Sequence, residues 1–169
     1  MKIERAVTWA VLIAMFCYFQ WKLGTDGGVG KQEPTTVVHA EEDFELAHPM
    51  GQMQKFMDKL HFAGIEKNWE LAGFYLHELE EQAEEIVKAG VFEDEVDVSQ
   101  LTQQLLVSQI EELEAVVKEE NSAKFQSGYL QLVDRCNSCH QTSNHGFIQI
   151  KVPKLSMFKN QEYRKQLEG

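Results

Sequence analysis

The sequence predicts an all-α protein: an antiparallel up-down-up-down four-helix bundle, with an N-terminal apolar helix before it and an irregular C-terminal tail after it. Three observations predict this. Only three prolines occur in 169 residues, and Glu, Gln, Leu and Ala cluster together. Four stretches repeat apolar residues in steps of three and four, the spacing of one helix face. The connections between these stretches are short, so neighbouring helices run antiparallel.

The N-terminal segment is a separate object. Lys2 and Arg5 precede an uncharged run from Ala6 to Trp21. As a helix that run spans roughly 24 Å, against a hydrocarbon core of about 30 Å. Lys22 and Leu23 extend it if the lysine snorkels. Residues 1–24 therefore read as a signal anchor with its N-terminus in the cytoplasm, or as a cleaved signal peptide. Either reading exports the rest of the chain. Cys17 matches no lipoprotein cleavage box and reads as inert. Residues 25–47 read as a flexible linker, because Gly24–Thr36 holds four glycines and a proline.

Residues 48–143 carry the four helices. The first opens near Pro49, a residue suited to a first helical turn. Its apolar positions are Met50, Met53, Met57, Leu60 and Gly64, where it is expected to stop. The second runs from about Lys67 to Ala89 and stops at Gly90. Its seam is Trp69, Ala72, Leu76, Leu79, Ala83 and Ile86, with Glu78, Glu80, Glu81, Glu84 and Glu85 off it. Residues 92–98 (FEDEVDV) read as an acidic connection. Ser99 is the expected N-cap of the third helix, which runs to about Glu120. Its face is Leu101, Leu105, Leu106, Ile110, Leu113, Val116 and Val117. Asn121 and Ser122 cap the fourth, along which Phe125, Tyr129, Leu132, Cys136 and Cys139 form one stripe.

Charge narrows the partners. Lys and Arg number 16 and Asp and Glu 27, a net charge of −11. Residues 1–40 hold four basic and three acidic side chains, and residues 41–169 hold 12 and 24. This argues against a nucleic-acid partner, which needs clustered Lys and Arg. Three cysteines do not suggest a disulfide framework.

The chemistry lies at the end of the fourth helix, in Cys136-Asn137-Ser138-Cys139-His140. This CxxCH spacing is the attachment signature of c-type haem. Two cysteines three apart lie near one helix face, so both sulfurs can bond one edge of the porphyrin. The next histidine then turns its imidazole to the iron. A thioredoxin-type CxxC belongs at a strand-to-helix junction, not inside an amphipathic helix. A zinc site needs a second ligand pair, and His145 alone does not supply one. The expected cofactor is one covalently attached haem c, held by Cys136 and Cys139 with His140 as proximal ligand. Export and the motif support one another, because bacterial haem c is attached outside the cytoplasmic membrane.

A helical bundle with CxxCH near the end of its last helix resembles the class II cytochromes c, the cytochrome c-prime group, over about residues 45–143. The stretches Lys59-Leu60-His61-Phe62-Ala63-Gly64 and Asn68-Trp69-Glu70-Leu71-Ala72 are also similar to exported bacterial proteins related to that fold. Members of the class often carry an Arg one turn beyond the motif's histidine and end soon after. Here 29 residues follow His140, and the next Arg is Arg164. Arg135 is the candidate propionate contact. The resemblance leaves the sixth iron position either open, for gases such as NO and CO, or filled by a first-helix methionine. Helices one and four run antiparallel, so His140 faces the start of the first helix. Met53 is the first choice as sixth ligand, with Met50 and Met57 as alternatives.

The remaining histidines carry weaker expectations. His48 and His77 read as surface residues, and His61 as too distant from the iron. His145, five residues past the proximal ligand, is placed to fold back over the haem edge or its solvent opening. The C-terminal extension, residues 144–169, reads as a turn at Asn144–Gly146 and then a short extended run at Phe147, Ile148, Ile150 and Val152. It is expected to form a basic flap over the bundle, with Met157 a remote ligand candidate. No acid–base pair or activated nucleophile marks an enzyme.

The function expected is a membrane-tethered periplasmic electron carrier, single-pass in the bacterial inner membrane, or released to the periplasm if the leader is cleaved. Its partners would be membrane-bound redox proteins. Class II bundles often pair through their first two helices, so the resemblance also implies a homodimer. The alternatives are a gas-binding or gas-sensing cytochrome with an open sixth site, and a haem subunit of a larger membrane complex.

Overall fold

The computed structural model describes residues 44–166; the expected leader, its cleavage and residues 25–43 of the expected linker lie outside them, while Phe44 and Leu46, expected in that linker, pack on the core. The described chain is mostly helical: α1 (Ala47–Ile65), α2 (Trp69–Ala89), a two-stranded ribbon of β1 (Phe92–Glu93) and β2 (Val96–Asp97), α3 (98–118) and α4 (Ser122–Thr142). Among the described residues no helix is long and apolar enough to cross a membrane.

Helix α1 begins at Ala47, two residues before its expected start. Pro49 lies in the first turn, where its missing N–H costs no hydrogen bond, and it is buried. The helix runs past Gly64. The left-handed residue that ends it is Lys67, at φ 56°, whose N–H donates to the Gly64 carbonyl while Asn68 N–H donates to that of Ala63. Gly64 has a different task. A Cβ there would stand 2.0 Å from the Phe125 ring of α4. The glycine lets two helices approach where a buried ring fills the space between them.

Helix α2 starts two residues later than expected, because Asn68 is its cap and accepts from Leu71 N–H at 3.3 Å. It ends at Gly90 in the left-handed conformation, as its sequence predicts. Ala72, Leu76, Leu79, Ala83 and Ile86 are all buried, so the predicted seam is the core face.

The acidic connection folds as an antiparallel ribbon, Phe92 opposite Asp97 and Glu93 opposite Val96, turned at Asp94 with φ 52°. It moves the cap of α3. Asp97, rather than Ser99, caps the helix and accepts from Gln100 N–H at 2.8 Å. Ser99 is buried instead. Its hydroxyl donates to the Ile86 carbonyl and accepts from Val91 N–H, both at 2.6 Å. That one side chain fastens the end of α2 to the start of α3.

Helix α3 is interrupted. Val98–Leu101 is α-helical, Thr102–Val107 is π-helical and Ser108–Lys118 is α-helical again. The wider turn rephases the apolar face, so Leu106 and Val107 are buried and Leu105 is only partly so. Helix α4 begins at its predicted cap, Asn121, which accepts from Lys124 N–H at 3.0 Å.

The tail, residues 144–166, forms no strand. It is a strap across three helices. Asn137 of α4 donates its side-chain amide to the Ile150 carbonyl (3.0 Å) and accepts from Ile150 N–H (2.8 Å). Ser156 donates to the buried Asp58 carboxylate of α1 at 2.9 Å. Tyr75 of α2 donates to Gln161 at 3.0 Å, and Asn68 donates to the Tyr163 carbonyl at 3.1 Å. Phe147 points outward and is 81% exposed, against the expectation that the whole run would pack. Ile150 and Val152 do pack on the core.

Gly64→Ala should lower stability by about 1–3 kcal/mol, the usual cost of overpacking a core. Phe125 cannot yield freely, because the Trp69 and Tyr129 rings lie against it. Thermal unfolding followed by circular dichroism checks this. An unchanged midpoint would mean that the α1–α4 contact is not tight at Gly64.

Candidate functional site

Helix α4 presents the motif from its C-terminal half. Cys139 is buried, Cys136 and His140 are partly buried, and both cysteines are free thiols. Burial and the neighbouring Cys139 push the Cys136 thiol up to about 12, and burial also raises Cys139. An attacking disulfide-exchange thiol has a lowered pKa, commonly at a helix N-terminus. These thiols lie near the other end, where the helix dipole disfavours a thiolate.

The level of α1 that faces the motif follows from three contacts. Gly64 meets Phe125, the His61 ring lies 4.7 Å from that of Tyr129, and Met57 Sδ lies 3.7 Å from Cys136 Sγ. Numbers fall along α1 as they rise along α4, so the pair is antiparallel. The Tyr129 hydroxyl fixes the register by donating to the Met57 carbonyl at 3.0 Å. Carried one turn further, the same register sets His140 level with Met50 and Met53.

These residues meet in one cavity of about 400 Å³. Helix α1 contributes Met50, Met53 and Met57; α2 contributes Leu79; and α3 contributes Val98 and Leu106. Cys136, Cys139, His140 and Ser143 line it from α4, and His145, Ile148 and Ile150 from the strap. Its wall is largely apolar, with few polar groups, as small-molecule and cofactor sites commonly are. The π-helical segment places Leu106 in this wall.

His140 has a defined tautomer. Its Nδ1 lies 3.0 Å from the Ile148 carbonyl, which can only accept, so Nδ1 carries the proton. Nε2 then keeps a lone pair for a metal. His145 is similar: Nδ1 donates to the Ser143 carbonyl at 2.7 Å and lies 3.2 Å from the Glu93 carboxylate, which joins the ribbon to the strap. Among the described residues, no group of three or more His, Cys, Asp or Glu is placed to chelate a metal ion unaided.

The cavity thus brings together Cys136, Cys139, His140 and all three candidate methionines. Other predicted residues are elsewhere. Arg135 is exposed and outside the cavity lining, so nothing in its position supports a propionate contact. His48 is exposed, and His77 lies among Glu80 and Glu81. Met157 is 77% exposed. His61 is outside the lining, as expected. The sequence reading missed Asn137, Asp58, Glu93 and the Ile148 carbonyl. Asn137 occupies a position of CxxCH that the motif leaves unspecified, and a backbone carbonyl has no sequence signal.

No known protein family, curated protein or solved structure matches this chain.

His61 should make stability depend on pH. Its burial holds its pKa below the ordinary histidine value, and the Asp58 carboxylate opposes that shift. The unfolded chain then takes up this proton at a higher pH than the folded chain does. The stability tied to His61 is complete above about 6.5 and is lost as pH falls toward the folded value. Urea unfolding of wild type and His61→Gln at pH 7.5 and 5 checks this. The variant should lose less stability on acidification, and equal losses would contradict the assignment.

Proposed function

We propose that this chain is a class II c-type cytochrome, a membrane-tethered and periplasm-facing carrier of single electrons. The observation that supports it best is the meeting of both motif cysteines, the His140 imidazole and the first-helix methionines around one apolar cavity. The donor set fits haem c. Two thiols three residues apart suit thioether bonds to one porphyrin edge, and one imidazole suits an iron whose other ligands come from the macrocycle.

The bundle reading has similar support. Helices α1 and α4 are antiparallel, and short connections join α1 to α2 and α3 to α4. An up-down-up-down four-helix bundle follows if α3 also runs against α2. Residues 1–24 would tether it, with the following linker letting the domain reach partners in the same membrane.

In this reading Cys136 and Cys139 hold the haem and His140 ligates through Nε2. Bound haem supplies one-electron chemistry at its iron. Leu79, Val98, Leu106 and Ile150 keep water from it. Met53 would supply the sixth ligand, a choice supported by its burial and by the α1–α4 register, which sets it level with His140. Met50 shares that level but is less buried, and Met57 lies against the Cys136 sulfur. A thioether ligand raises the potential. It also favours electron transfer over gas binding, because the sixth position is filled.

A reduced sample under CO should keep its Soret band on mixing. An immediate shift would overturn the six-coordinate reading in favour of gas binding. Met53→Ala should convert low-spin iron to high-spin in the absorption spectrum, and an unchanged spectrum would rule out Met53 in favour of Met50 or Met57.

A further inference from the structure

We infer that the C-terminal strap is the positioning element for His140, and that Asn137 and Asp58 act on the iron ligand through it. This rests on His140 as the proximal ligand. Residues Asn137 and His140 stand three apart on α4 and hold alternate residues of the strap, Ile150 and Ile148. Asn137 makes two hydrogen bonds to Ile150, so the backbone there is fixed in position and direction. The Ile148 carbonyl, two residues earlier, is thereby presented to His140 Nδ1. Without that carbonyl His140 has no acceptor that specifies its tautomer or holds its ring.

The strap has no helix or strand of its own to keep it straight. Fixing an irregular segment costs backbone entropy at every residue, so its place must be held by contacts. Those contacts are spread along its length. At its start, Asn144 is left-handed at φ 63° and His145 N–H donates to the His140 carbonyl at 2.7 Å, which turns the chain back beside the helix it has just left. At its middle, Asp58 accepts from Ser156 Oγ (2.9 Å) and Met157 N–H (3.4 Å). Ser156 in turn shares a 2.9 Å hydrogen bond with the Tyr163 hydroxyl, and Lys59 Nζ stands 4.7 Å from the Phe158 ring centre. Asp58 is buried with the strap in place, so its carboxylate ties the middle of the strap to α1. The Ile148 side chain is 44% exposed and reaches only the cavity wall. What the strap contributes at Ile148 is its carbonyl.

The chemical consequence lies in the imidazole. A carbonyl accepting from Nδ1–H makes Nε2 a stronger donor and fixes the plane of the ring. Stronger donation favours ferric iron. Loss of the hydrogen bond therefore raises the midpoint potential and leaves the two thioether attachments intact.

The test uses the haem-loaded full chain with Asn137→Ala, and with Asn137→Asp, which keeps the acceptor for Ile150 N–H but loses the donor. Redox titration should show a higher midpoint for Asn137→Ala and an intermediate one for Asn137→Asp. Limited proteolysis should cut the strap faster in the same order. Asp58→Asn, remote from the iron, should raise the potential in the same sense, and an unchanged potential there would remove Asp58 from the proposal. If Asn137→Ala does not fold, the Asn137→Asp and Asp58→Asn titrations decide alone. Potentials equal to wild type in folded, haem-loaded variants whose strap is cut faster would overturn the proposal. A wild-type chain that carries no covalent haem would instead overturn the functional reading on which it rests.

Discussion

The antiparallel register between α1 and α4 is the constraint on which the site depends. It is set by size and by one hydrogen bond. Gly64 leaves room for the Phe125 ring, His61 and Tyr129 lie ring to ring, and the Tyr129 hydroxyl reaches the Met57 carbonyl. A shift of α1 by one residue would drive a side chain into Phe125 and turn a different face toward α4. With the register fixed, the Met57 sulfur meets Cys136, and the methionines one and two turns earlier reach the level of His140. The cavity is then completed by α2, the rephased α3 and the strap. The motif supplies reactive groups, and the register determines what faces them.

The charge distribution follows the same division. Residues 44–143 hold 19 acidic and seven basic side chains, and residues 144–166 hold one acidic and five basic. The acidic surface therefore belongs to the helices and the ribbon. Lys151, Lys154, Lys159, Arg164 and Lys165 form a basic line where the strap crosses the helices. Within the site polar groups are few: the Glu93 carboxylate lies 3.2 Å from His145 Nδ1, and apart from the His140 imidazole and the Ser143 hydroxyl the remaining wall is thiol, thioether, amide and hydrocarbon.

Much of the helical fold was legible in the sequence, because burial imposes a period that composition alone does not. The seam of α2 and the stripe of α4 are the core faces, and Gly90 and Asn121 end or cap helices where their chemistry predicts. The misreadings have local causes. Gly64 signalled a stop, but its missing Cβ serves packing against Phe125, a partner 61 positions away. Ser99 signalled a cap, but the ribbon brings Asp97 to that role and leaves Ser99 to join α2 to α3. The π-helical turn carries no sequence signal in its Leu105–Leu106 pair. At the site, Cys136, Cys139, His140 and the methionines were legible from spacing and face. Asn137 and Asp58 were not, because their partners are backbone and hydroxyl groups of an irregular segment whose path no periodicity reveals.

The central claim is that Cys136 and Cys139 carry covalent haem. Intact mass spectrometry of the denatured protein, isolated from its own host, tests this most directly. The account predicts a chain heavier by one haem that keeps its pigment in denaturant, and loss of that added mass when Cys136 and Cys139 are both replaced by Ala. A denatured chain with its unmodified mass and no bound pigment would contradict it.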